Sequence, residues 1–203
     1  VPVVLVVTAA VVALSIVMPK SYRATARILY NASADPLANS SADVVQRQLA
    51  TIGALITTPS TLQKASPAAG VTEPKLEKKV KAAVDQTANL IAVTASDGTA
   101  QGAQRIANAV ARTFLNVQKQ QDVRAIASAR ARLTDQLAAL GGAASNRLEA
   151  DAIRTRLSEL TVSEATAGSE LQLAEAAQRP TSAASPRPVR NGVIHLAPEE
   201  IWT

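Results

Sequence analysis

Residues 87–114 read TANLIAVTASDGTAQGAQRIANAVARTF, and a change of period inside this stretch sets the expected fold. Leu90–Ala95 (LIAVTA) has the β-rich composition of a strand. Asp97, Gly98 and Thr99 form a turn. From Thr99 or Ala100 onward the apolar residues recur at helical spacing. Ile106, Val110, Phe114 and Val117 mark a buried stripe, separated by four, four and three positions. A strand that feeds a helix through an acidic turn is the central unit of the chain.

Working upstream, Val80, Ala82 and Val84 alternate with Lys79, Lys81 and Ala83, and Asp85 to Asn89 breaks the run. With Leu90–Ala95 this predicts a β-hairpin. Lys75, Lys78, Lys79 and Lys81, interleaved with Glu73 and Glu77, read as a solvated face. Residues 21–31 (SYRATARILYN) put Tyr22, Ala24, Ala26, Ile28 and Tyr30 on one side and Arg23, Thr25 and Arg27 on the other. That pattern predicts a half-buried strand. The stretch ASADPLANSSAD is a loop, with Ser41 or Asp43 placed to cap the next helix. Val44, Val45, Leu49, Ile52, Leu55 and Ile56 carry that helix to about Thr57, and a shorter one begins near Ser60.

Downstream, nothing stops the helix that starts near Ala100 until Gly141-Gly142. About 40 residues of α-helix extend about 60 Å, longer than a small domain is wide. Leu133, Leu137 and Leu140 continue its stripe, and Ile153, Leu157 and Leu160 repeat the spacing beyond the glycines. The prediction is an antiparallel helical hairpin with a thin Leu/Ile/Ala seam. Arg124, Arg130, Arg132, Arg147, Arg154 and Arg156 lie on it. They read as a solvated surface laced with intrahelical ion pairs, or as a surface for anionic glycan, a lipid-linked precursor or a neighbouring subunit. Gly168 to Ala176 alternates Leu171 and Leu173 with polar neighbours, as a last strand does. Pro180, Pro186 and Pro188 follow in an extended connector.

The first 18 residues hold no charge, and their only polar side chains are Thr8 and Ser15. Eighteen helical residues span about 27 Å, close to the hydrocarbon thickness of a bilayer. Lys20 and Arg23 close the segment. A membrane anchor is expected, with a secretory signal peptide as the rival reading.

The 203 residues include 47% apolar ones but only 2% aromatics, which favours small-residue helix packing over a deep ligand cleft. There is no Cys, and the lone histidine is His195. These leave no parts for a nucleophilic triad or a zinc site. Glu199-Glu200 reads as a pair of solvated carboxylates. The expected inventory is therefore no catalytic residue, no cofactor-binding residue and no metal ligand, hence no enzyme and no cofactor. The net charge of +5 is scattered, not gathered into a stripe with stacking aromatics, so no nucleic-acid partner is expected.

In this order, the apolar segment running into MPKSYRATARILYN, the strand–turn–helix of 87–114 with Ile106-Ala107-Asn108, the helical hairpin, and AEAAQRPTSAASPRPVRNG resemble the bacterial polysaccharide chain-length determinants. These are also called polysaccharide co-polymerases. Membrane-linked tyrosine autokinases and their adaptors carry a similar extracytoplasmic domain. The resemblance covers roughly residues 1–192.

It implies an α+β fold: a small mixed sheet with helices next to the membrane, a long antiparallel helical hairpin, and an N-terminal transmembrane helix. The expected divisions are a transmembrane helix (1–19), a membrane-proximal domain (20–99), the hairpin (100–163), a return strand and proline-rich segment (164–190), and a divergent tail (191–203). It also implies a homo-oligomeric scaffold in the bacterial inner membrane, with the bulk of the chain extracytoplasmic. Such a scaffold sets the length and export of O-antigen (lipopolysaccharide), capsule or exopolysaccharide through the polymerase or export machinery, and possible contact with the glycan itself. Two alternatives stay open: an adaptor that activates a tyrosine kinase, and an efflux-type periplasmic adaptor. The family continues after the proline-rich segment with about 20 apolar residues. Here Gly192 is followed by VIHLAPEEIWT, so a truncated or frame-shifted copy is expected. The fused kinase's phosphate-binding loop is not in this sequence either.

Overall fold

The computed structural model describes residues 20–31, 42–141 and 146–185. Nine elements follow in order. They are β1 (Tyr22–Tyr30), α1 (Ala42–Ile56), α2 (Pro59–Ala69), α3 (Glu73–Lys79), β2 (Val80–Asp85), β3 (Leu90–Asp97), α4 (Ala100–Ala139), α5 (Arg147–Thr166) and β4 (Leu171–Glu175). The strands form one sheet in the order β2-β3-β1-β4.

Alternation puts Ala24, Ala26, Ile28 and Tyr30 of β1 on the buried face, beside Ile91, Val93 and Ala95 of β3. α4 lies along β1 and β3, α1 packs on β2, and α2 packs on α4. Ile106, Val110 and Phe114 of α4 meet the sheet fully buried, joined by Gly102, Ala103, Ala107 and Ala111. The small residues let the helix axis approach the strands closely, so a chain with one Phe still closes a core. Gly53 does the same for α1: a Cβ there would sit 2.8 Å from Val84 Cγ2.

The sheet is wholly antiparallel, not mixed as expected. The helical excursions explain why. β3 and β4 run the same way, but β1 lies between them running oppositely; β2 and β1 run the same way with β3 between. Each crossover therefore delivers its strand beyond a neighbour and never next to a parallel one.

The β2–β3 hairpin forms as predicted. Asp85 Oδ1 accepts from the amides of Thr87 and Ala88 at 3.0 and 3.2 Å, and Asn89 takes φ 52°. Lys75, Lys78 and Lys79 lie on a short helix, α3, whose one buried residue is Leu76, and Lys81 lies on β2. Asp43 falls inside the first turn of α1, and Ser41 lies outside the described residues.

α4 runs 40 residues and ends at Leu140, with Gly141 at φ 58° in the turn that follows. α4 begins at residue 100, where the hairpin was expected to start; its first turns complete the core and its remainder forms the hairpin with α5. Gly168 rests on the Lys119 side chain, level with the end of β1 where Asn31 donates to the Glu170 carbonyl. The last ~20 residues of α4 therefore run about 30 Å past the sheet.

The anchor expected over residues 1–19 and the tail from 191 lie outside the described residues. Among the described residues no helix is long and apolar enough to cross a membrane.

Candidate functional site

The chain enters and leaves the domain at the same end of the sheet. Ser21, directly before β1, donates to the Ser185 carbonyl at 2.8 Å and accepts from the Ala184 amide at 2.7 Å. The two segments run antiparallel, side by side at this end of the sheet. β1 pairs Tyr22 with Asp97, and α4 starts from that end and travels toward the other. The α4–α5 hairpin thus extends beyond the end of the sheet opposite the Ser21–Ser185 pair.

Two amides on α4 hold the returning segment in place. Asn108 Nδ2 donates to the Ala177 carbonyl at 3.0 Å, and its Oδ1 accepts from the Ala177 amide at 2.8 Å. Gln104, one turn earlier, donates to the same carbonyl at 3.2 Å. The Asn108 side chain imitates a strand edge, satisfying both backbone groups of a residue that is 2% exposed. This gives the Ile106-Ala107-Asn108 sequence a physical role: Ile106 and Ala107 face the core while Asn108 clamps the exit segment. A pair of amides four apart beside the apolar stripe was the signal; its target, seventy residues on, was not legible.

A second node joins β3, α3 and α4. Asp97 accepts from Lys79 and, through Oδ2, from the Thr99 hydroxyl at 3.0 Å. Thr99 caps α4 by accepting from the Gly102 amide at 3.0 Å. Burial pushes the Asp97 carboxyl up, but the hydrogen bonds from Lys79 and Thr99 outweigh it and hold the group below its ordinary value. Gly102 leaves room for this arrangement; a Cβ there would stand 2.6 Å from Thr99 Oγ1. Of the clustered lysines, Lys79 is therefore a tied residue, while Lys75, Lys78 and Lys81 are exposed as expected.

On the hairpin, Ile153 and Ala150 are buried, whereas Leu133, Leu137, Leu140, Leu157 and Leu160 are half-buried. Arg154 pairs with Asp151 within α5, and Arg130 reaches across to Glu164 at 2.6 Å. The second pair is interhelical, where only intrahelical ones were expected. Arg132 and Arg156 flank a shallow groove floored by Leu133 and Leu160, with Glu159 between them in its wall. The remaining hairpin arginines, Arg124 and Arg147, are exposed.

Among the described residues no group of His, Asp or Glu could hold a metal ion. His195, Glu199 and Glu200 lie outside the described residues. Comparison with known protein families and with curated proteins finds no match to this chain.

Proposed function

We propose that this chain is the extracytoplasmic part of an oligomeric membrane scaffold that governs the length and export of a bacterial surface polysaccharide, without catalysis of its own. One observation carries the reading. Ser21, three residues past the apolar first segment, and Ser185, within the proline-rich one, are hydrogen-bonded at one end of the sheet, while a long hairpin projects from the other. A domain fixed at one end and reaching outward at the other suits a scaffold that stands on a membrane. The strand, acidic turn and long helix of residues 90–139 support the resemblance read from residues 87–114.

The test is deletion of the gene in its bacterium, with complementation by a complete copy. The length distribution or yield of a surface polysaccharide changes while its sugar composition does not. Ile28→Asp places a charge at a position with no exposure and fails to complement, because the domain unfolds; His195→Ala complements fully. An unchanged polysaccharide with altered drug efflux sinks this reading in favour of an efflux-type adaptor. A change confined to tyrosine phosphorylation favours the kinase adaptor.

A further inference from the structure

We propose that the end of the sheet where residues 20 and 185 meet carries a collar of cations that docks on an anionic phospholipid surface; this rests on the reading of residues 1–18 as a membrane anchor. The collar is Lys20, Arg23, Lys78, Lys81 and Arg179, all exposed. The fold assembles it from three separate stretches. Lys20 precedes the Ser21–Ser185 bridge, and Arg23 pairs with Ser96 one residue from the end of β3. Lys81 pairs with Thr94 at the start of β2, and Lys78 lies in the last turn of α3 just before it. Arg179 lies between Ala177, clamped by α4, and Ser185.

The acids at this end are already committed. Asp97 is held by Lys79, and Glu175 is held by Arg27; Glu77 is the exposed exception. Among the described residues none of the five collar cations pairs with a carboxylate. The opposite end of the sheet instead carries Asp85 and Glu170, so charge is graded along the strands. Ammonium and guanidinium groups are strong partners for phosphate oxygens. They ring the point from which an uncharged 18-residue apolar stretch departs, which sets them at headgroup depth. Nucleic acid fits less well, because among the described residues the one aromatic ring at this end, Tyr22, is half-buried and packed on the core.

The full chain contains no cysteine, so Gly98→Cys, in open space at this end, takes a single environment-sensitive fluorophore. The labelled chain is reconstituted into phosphatidylcholine vesicles with and without phosphatidylglycerol, each carrying a headgroup quencher. Quenching is stronger in the anionic vesicles and is reversed by salt. Replacing Lys78 and Lys81 by Gln lowers the docked-to-undocked ratio about 30-fold, at the usual strength of a lysine near an anionic surface. Equal quenching in both lipids overturns the collar and leaves the anchor reading intact, as does a Lys78→Gln/Lys81→Gln chain that quenches like its parent. Flotation with anionic vesicles alone supports the collar and removes the anchor. Flotation with neither overturns both, and quenching displaced by duplex DNA with no lipid effect transfers the surface to nucleic acid.

Discussion

Asp97 links three elements through one carboxylate, and its pH behaviour follows from the direction of its shift. Its pKa is lower in the fold than its ordinary value of 3.8. The stabilisation is therefore complete above that value and is lost as pH falls through the depressed one. Relative to Asp97→Asn, the native chain is more stable by about 1 kcal/mol for this partly buried ion pair. That difference holds from neutrality down to about pH 5 and shrinks in stronger acid; chemical denaturation at a series of pH values measures it. Asn108 makes the other residue-scale prediction. Asn108→Ala leaves the Ala177 amide without a partner, and its carbonyl with Gln104 alone. The loss is about 2 kcal/mol for a buried unsatisfied group, and amide exchange at Ala177 accelerates. Asn108→Asp restores the acceptor but not the donor, and recovers only part of the stability.

At the scale of elements, α4 has two halves with different supports. Up to Phe114 it is embedded between sheet and α2, so Phe114→Ala empties a fully packed site and costs about 3–5 kcal/mol of global stability. Beyond Lys119 its support is one partner helix, with a seam of half-buried leucines. Leu137→Asp accordingly costs about 1 kcal/mol, and the effect is local. Thermal denaturation ranks the two substitutions, and hydrogen exchange finds residues 120–139 opening at lower free energy than 103–114. Equal protection along all of α4 would show that the arm is held by more than α5. The sequence placed the leucine seam correctly by its spacing of four and three. It did not show how little of that seam two helices alone can cover, because burial depends on how many partners surround a stripe and not on the stripe itself.

For the whole molecule, the decisive contact joins the segment before β1 to the segment after β4. Ser21 and Ser185 form a hydrogen-bonded antiparallel pair, whose Cα atoms lie about 5.5 Å apart in ordinary sheet geometry. That separation suits a disulfide. Ser21→Cys combined with Ser185→Cys therefore closes spontaneously on mild oxidation, read as lost free thiol and a faster band on a non-reducing gel. Each single variant leaves its thiol free. A pair that stays reduced in the folded chain would remove the common exit on which the scaffold reading stands.

Local order in the chain is written in periodicities that act over a few residues. The alternation in residues 21–31, the switch of period at Asp97–Thr99 and the glycines at 141–142 predicted β1, the start of α4 and the turn at the hairpin tip. They did so because backbone geometry turns spacing directly into a buried face. The wholly antiparallel sheet, the grip of Asn108 on Ala177, the tie between Lys79 and Asp97 and the meeting of Ser21 with Ser185 are different in kind. Each joins residues many positions apart, through polar groups whose partners no local pattern specifies. Only once the core has closed around Phe114 and Ile28 are those groups brought within hydrogen-bonding distance, and the partner each finds is set by which strands the helices have delivered beside it.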